Sequence, residues 1–183
     1  MSGPPRGTPG GVAAGAAELL ALTLLGWCVM GATHEAGHLL GGWAGGGTPR
    51  DWWLGPWPPP HSRVAPDPHP ALTLWAGPVL GCGVPVLLAA LVPGRWPRWR
   101  ARGWFLADFC LLANGAYLLV AWVTGDRLLD TARLLAAGVS PVRIALFAGT
   151  ATAVGYVRFR EDCRAVWERR GRRPGRPNHR PRR

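Results

Sequence analysis

Apolar residues along this chain fall into long blocks separated by stretches dense in arginine, proline and glycine. Four blocks approach the roughly 20 residues that an α-helix needs to cross a bilayer. They are residues 16–40, 71–92, 104–123 and, the shortest, 142–157. An amphipathic piece, residues 127–137, precedes the last block and is parted from it by Gly138 and Ser140-Pro141. Proline disfavours helix in the residue before it, so this piece reads as the first half of an interrupted helix. The pattern predicts an all-α, polytopic integral membrane protein of about four transmembrane helices, with a broken helix near 125–141. Residues 16–157 then form one transmembrane domain. Residues 1–15 are expected to be disordered, as is most of the Arg-rich tail 158–183, whose last dozen residues have almost no apolar surface to bury. Arg6 and the Gly/Ala-rich stretch after it could pass for a signal peptide, but the apolar run continues beyond the length of such a segment. A retained first span is expected.

Mean hydropathy is only +0.06 because polar connections offset the apolar blocks. The charge in those connections orients the spans. All 21 basic residues are arginine. Arg95, Arg98, Arg100 and Arg102 join the second and third blocks, and eleven more follow Val157. Arginine-rich connections stay on the cytoplasmic side, so both termini are expected there, in the cytoplasmic membrane of a bacterium. Residues 43–70 and 124–140 then lie on the opposite face. The tail would attract anionic lipid. Nucleic acid is not expected as a partner, because no aromatic-interleaved reading surface accompanies the arginines.

Residues 43–70 carry Trp43, Trp52, Trp53 and Trp57 among several prolines. Indoles suit the membrane–water interface, and the segment reads either as an interfacial anchor or as a lid over a site. Cys28, Cys82, Cys110 and Cys163 are scattered without a CxxC pair and read as buried thiols rather than as a disulfide framework or thiolate site.

The first block contains the chemistry. Residues His34-Glu35-Ala36-Gly37-His38 place two histidines four apart on one helical face, where both can present a ring nitrogen to one Zn²⁺, with Glu35 beside the water it would activate. Ionisable residues are costly inside a span and mark function there. Catalytic zinc needs a third protein ligand and an open position. His61 and His69 lie in the Pro-rich loop, Glu18 is more than four turns from His34 along the same helix, and Asp108 is in the cytoplasmic half of its span. The carboxylates at the right depth are Asp126 and Asp130.

Taken together, these motifs resemble the site-2 protease family of intramembrane zinc metalloproteases. His34-Glu35-Ala36-Gly37-His38 looks like its His-Glu-x-x-His helix, Ala76-Gly77-Pro78 with Gly81 like its Gly-Pro segment, and Leu129-Asp130-Thr131-Ala132-Arg133 like its Leu-Asp-Gly-Gly-Arg stretch with both glycines replaced. The Asn-Pro dipeptide usual before the family's aspartate is missing, and Asn114-Gly115 is the nearest counterpart. The resemblance implies His34 and His38 as zinc ligands, Glu35 as general base and an aspartate as third ligand. That aspartate is Asp126 or Asp130, with Asp126 slightly preferred because it directly follows Gly125. Asn114 is expected either to position a substrate strand by hydrogen bonds or to serve structural packing.

The implied activity is hydrolysis of peptide bonds in membrane-associated substrates by zinc-activated water. The alternative is a catalytically inactive relative acting as a membrane scaffold or regulator, suggested by the altered aspartate motif.

Overall fold

The computed structural model describes residues 9–171. Five helices and one hairpin follow in the order α1 (Pro9–Ala44), β1 (Pro49–Trp53), β2 (His61–Val64), α2 (Pro70–Leu91), α3 (Pro97–Thr124), α4 (Asp130–Ala136) and α5 (Pro141–Gly171). Four of the helices open on proline. The ring presets a helical φ, and the missing N–H is one that a first turn leaves unpaired in any case. Among the described residues, three helices are long and apolar enough to cross a membrane, within α1, α2 and α3.

The fourth expected span is a different case. In α5 only 144–157 is free of arginine, between Arg143 and Arg158, and it is not one of those three. Yet α5 does not end there. It continues as helix to Gly171, so the expected disorder of the tail does not hold for 158–171, and residues 172–183 lie outside the described residues. The reason is a second apolar face: Phe159, Cys163 and Val166 recur at helical spacing and pack with Leu22 and Phe105. At the other end α1 begins at Pro9, so 9–15 is helical, while 1–8 lie outside the described residues.

The helices form a bundle in which α1 packs chiefly on α2 and α3 on α5. The α3/α5 pair is antiparallel, with Gly115 against Thr152, Gly155 against the backbone of Leu112, and Arg158 against Asp108. The apolar and polar residues are distributed the opposite way from a water-soluble bundle. Leu20, Leu24, Trp27, Leu87, Leu88 and Leu146 face outward, while His34, His38, Thr73, Asp108, Asn114, Asp130 and Thr131 are buried. An outer surface of this kind is suited to hydrocarbon.

The segment 43–70 is not merely a loop. Its two strands pair antiparallel, with Trp52 opposite Ser62 and Trp53 opposite His61. Val64 packs on Gly42 and Pro60 on Gly31, which seats the hairpin on α1. Trp43, Trp52, Trp53 and Trp57 all remain exposed.

Candidate metal centre

His34 and His38 project from one face of α1 and are 5% and 6% exposed. Their rings reach the bundle interior because α2 approaches closely: Gly37 lies against the Ala76 carbonyl, and the His38 ring rests on Gly77, where any Cβ would collide with it. This close approach gives the Ala76-Gly77-Pro78 segment a structural reason.

Each imidazole is oriented by its Nδ1 atom. His38 Nδ1 lies 2.8 Å from the Thr73 carbonyl oxygen, which can only accept, so Nδ1 carries the proton. His34 Nδ1 lies 2.7 Å from Asn114 Oδ1. Asn114 Nδ2 donates to the Cys110 carbonyl at 2.9 Å, which fixes the amide and makes its oxygen the acceptor for His34. In the neutral tautomers both Nε2 atoms are therefore bare. Asn114 is fully buried, with its amide oxygen on His34 and its amide nitrogen on the Cys110 carbonyl.

The two Nε2 atoms meet Asp130 Oδ2. The separations are 2.8 Å from His34 to Asp130, 3.2 Å from His38 to Asp130 and 3.0 Å between the two nitrogens. With both Nε2 atoms unprotonated, these three lone-pair donors repel one another unless a cation lies among them, and a proton shared between an imidazole and Asp130 would hold the same contacts. Ligand atoms about 2.0–2.1 Å from a tetrahedral zinc are roughly 3.4 Å apart, slightly wider than this triangle. The donor set and its orienting hydrogen bonds fit a Zn²⁺ ion.

Asp130, not Asp126, is brought to the histidines. The preference for Asp126 relied on the preceding glycine, but Gly125 belongs to the end of α3. It caps that helix in the left-handed region at φ 65°. Asp126 follows in an exposed turn, where Oδ1 accepts the Leu128 N–H at 2.9 Å. Asp130 is the first residue of α4. That helix is anchored by Thr131, whose hydroxyl donates to the Leu118 carbonyl at 2.8 Å, and by the fully buried Leu134. Arg133 stands 3.7 Å from the other Asp130 oxygen. Thr131 thus occupies a position where the family stretch has glycine, and it ties α4 to α3.

Glu35 completes the group, with a carboxylate oxygen within 4.8 Å of donor atoms of His34 and His38. Ser62 on β2 donates a 2.5 Å hydrogen bond to Glu35 Oε2. Nothing in the sequence singled out Ser62, because its place over Glu35 depends on how the hairpin folds back on α1. The carboxylates and histidines set aside as ligands lie elsewhere. His61 is 3.8 Å from Asp51 on the exposed hairpin, His69 precedes α2, Glu18 pairs with Arg102, and Asp108 pairs with Arg158 at 2.7 Å. Cys82 and Cys110 are buried, Cys28 and Cys163 are partly buried, and all four are free thiols.

No protein-family model, no curated protein and no solved structure matches this chain, so the reading of the cluster rests on its own geometry and donor chemistry.

Proposed function

We propose that this protein is an integral membrane zinc endopeptidase that hydrolyses peptide bonds of membrane-associated substrates, of the kind found in the site-2 protease family. The observation that carries the proposal is the convergence of His34 Nε2, His38 Nε2 and Asp130 Oδ2 with Glu35 beside them, inside a bundle with an apolar exterior. His34, His38 and Asp130 would hold the ion. Bound zinc would supply an acidified water and polarise the scissile carbonyl. Glu35 is then the base that takes the proton from water and returns it to the leaving amine. Asn114 and the Thr73 carbonyl keep each imidazole turned with Nε2 inward, and the negative Asp130 offsets the positive charge of the ion.

The proposal includes a fourth span and an orientation. Because α5 runs beside α3 and Arg158 is neutralised by Asp108, α5 can accompany α3 through the hydrocarbon despite its arginine. Arginine distribution favours both termini in the cytoplasm, with the metal centre toward the outer face of a bacterial cytoplasmic membrane.

A second reading, a catalytically inactive scaffold or regulator of the same build, is favoured by one contact. Ser62 engages one of the two carboxylate oxygens of Glu35, the proposed base. One set of measurements separates the two. Purified protein should hold about one equivalent of zinc, and His34→Ala with His38→Ala should remove it. Glu35→Gln should retain the metal and abolish cleavage of a membrane-tethered peptide library. Zinc content indifferent to both histidines overturns the metal proposal. Zinc retained without cleavage in the unaltered protein assigns the inactive reading.

A further inference from the structure

We propose that the arginine pocket at the end of the bundle remote from the metal centre binds the phosphate of an anionic phospholipid. The pocket has a volume of about 490 Å³ and gathers Glu18 from α1, Arg98 and Arg102 from α3, and Arg169 from α5. The lining thus holds three arginines and one carboxylate. Glu18 accepts from Arg102 at 3.2 Å, so a net positive charge remains in a concave site where three helices meet. Arginine is suited to such a ligand because its planar fork matches two phosphate oxygens at once.

The surroundings choose the source of the phosphate. Glu18 lies sixteen residues before His34 on α1, about 24 Å along the helix, which places the pocket near the opposite membrane surface. The Arg102 guanidinium stacks 5.4 Å over the Trp99 ring, and Arg95 stacks 5.0 Å over Trp96. These indoles form the wall of an adjoining apolar groove continued by Leu88, Leu91 and Val92. Charge for a headgroup and a groove for an acyl chain meet at Trp99. A soluble phosphate would use only the first. The proposal rests on the membrane reading alone, not on the peptidase reading.

The test uses the full chain in nanodiscs of phosphatidylcholine, with phosphatidylglycerol titrated in and retained lipid counted by native mass spectrometry. Phosphatidylglycerol should be retained over phosphatidylcholine. Arg98→Gln with Arg169→Gln should weaken retention on the order of tenfold, with the thermal midpoint in pure phosphatidylcholine unchanged. Arg169→Gln alone should give an intermediate loss, which keeps the test valid if the double variant misfolds. Removal of residues 172–183 should leave the difference between the unaltered protein and the arginine variants in place. Equal retention by the variants, equal retention of phosphatidylcholine, loss of the variant difference on removing 172–183, or displacement by millimolar inorganic phosphate would each overturn the proposal.

Discussion

Asn114 Oδ1 lies 2.7 Å from His34 Nδ1, linking α3 to α1 at the point where the histidine must be turned inward. Asn114→Ala removes the acceptor that fixes the tautomer and leaves a buried N–H unpaired. Zinc affinity should fall about 10- to 100-fold, read by competition with a chromogenic chelator. A role in holding substrate alone would instead raise KM and leave metal affinity unchanged.

Asp130→Asn and Asp126→Asn form a paired experiment. The first should release the metal, because the amide lacks the negative charge of the buried carboxylate. The second should leave metal content intact and change stability by less than about 1 kcal/mol, because the Asn amide oxygen can still accept the Leu128 N–H in the exposed turn. Metal content of the purified variants decides between the two carboxylates.

Gly77→Ala places a methyl group where the His38 ring now lies. The ring is held on its other edge by the Thr73 carbonyl, so it cannot retreat without losing that hydrogen bond. The expected cost is about 1–3 kcal/mol, as for other overpacked cores, together with loss of zinc. Thermal unfolding in detergent and metal analysis measure the two effects. Gly83→Ala, at an open position on the same helix, is the matched control and should change neither.

Arg158→Gln breaks the pair with Asp108 and leaves a carboxylate that is 1% exposed without its partner. Arg158 itself is half exposed, so the loss should be about 1–3 kcal/mol rather than the larger cost of a fully buried pair. Adding Asp108→Asn should recover much of it. Denaturation of the two single variants and the double variant gives the coupling directly.

The sequence by itself determined the three long apolar helices, since length and the absence of charge are local properties, and it determined that His34 and His38 share a helical face, since four residues return to the same side. It also carried a signal for the extension of α5, in the spacing of Phe159, Cys163 and Val166, which the high density of arginine obscured. Other features had no local signal. The hairpin pairs Pro49–Trp53 with His61–Val64 across a Pro-rich turn, and its strands become recognisable only when they rest on α1. The sequence offered both aspartates, Asp130 through the stretch Leu129 to Arg133 and Asp126 through Gly125, and tertiary structure brought Asp130 to the histidines. Gly125 suggested a beginning at Asp126, but it closes α3, whereas the bond from Thr131 to the Leu118 carbonyl and the burial of Leu134 set the position of α4 and carry Asp130 inward. Ser62 over Glu35 and Asn114 beside His34 belong to the same class, because contacts between residues 27 and 80 positions apart depend on packing that no local spacing encodes.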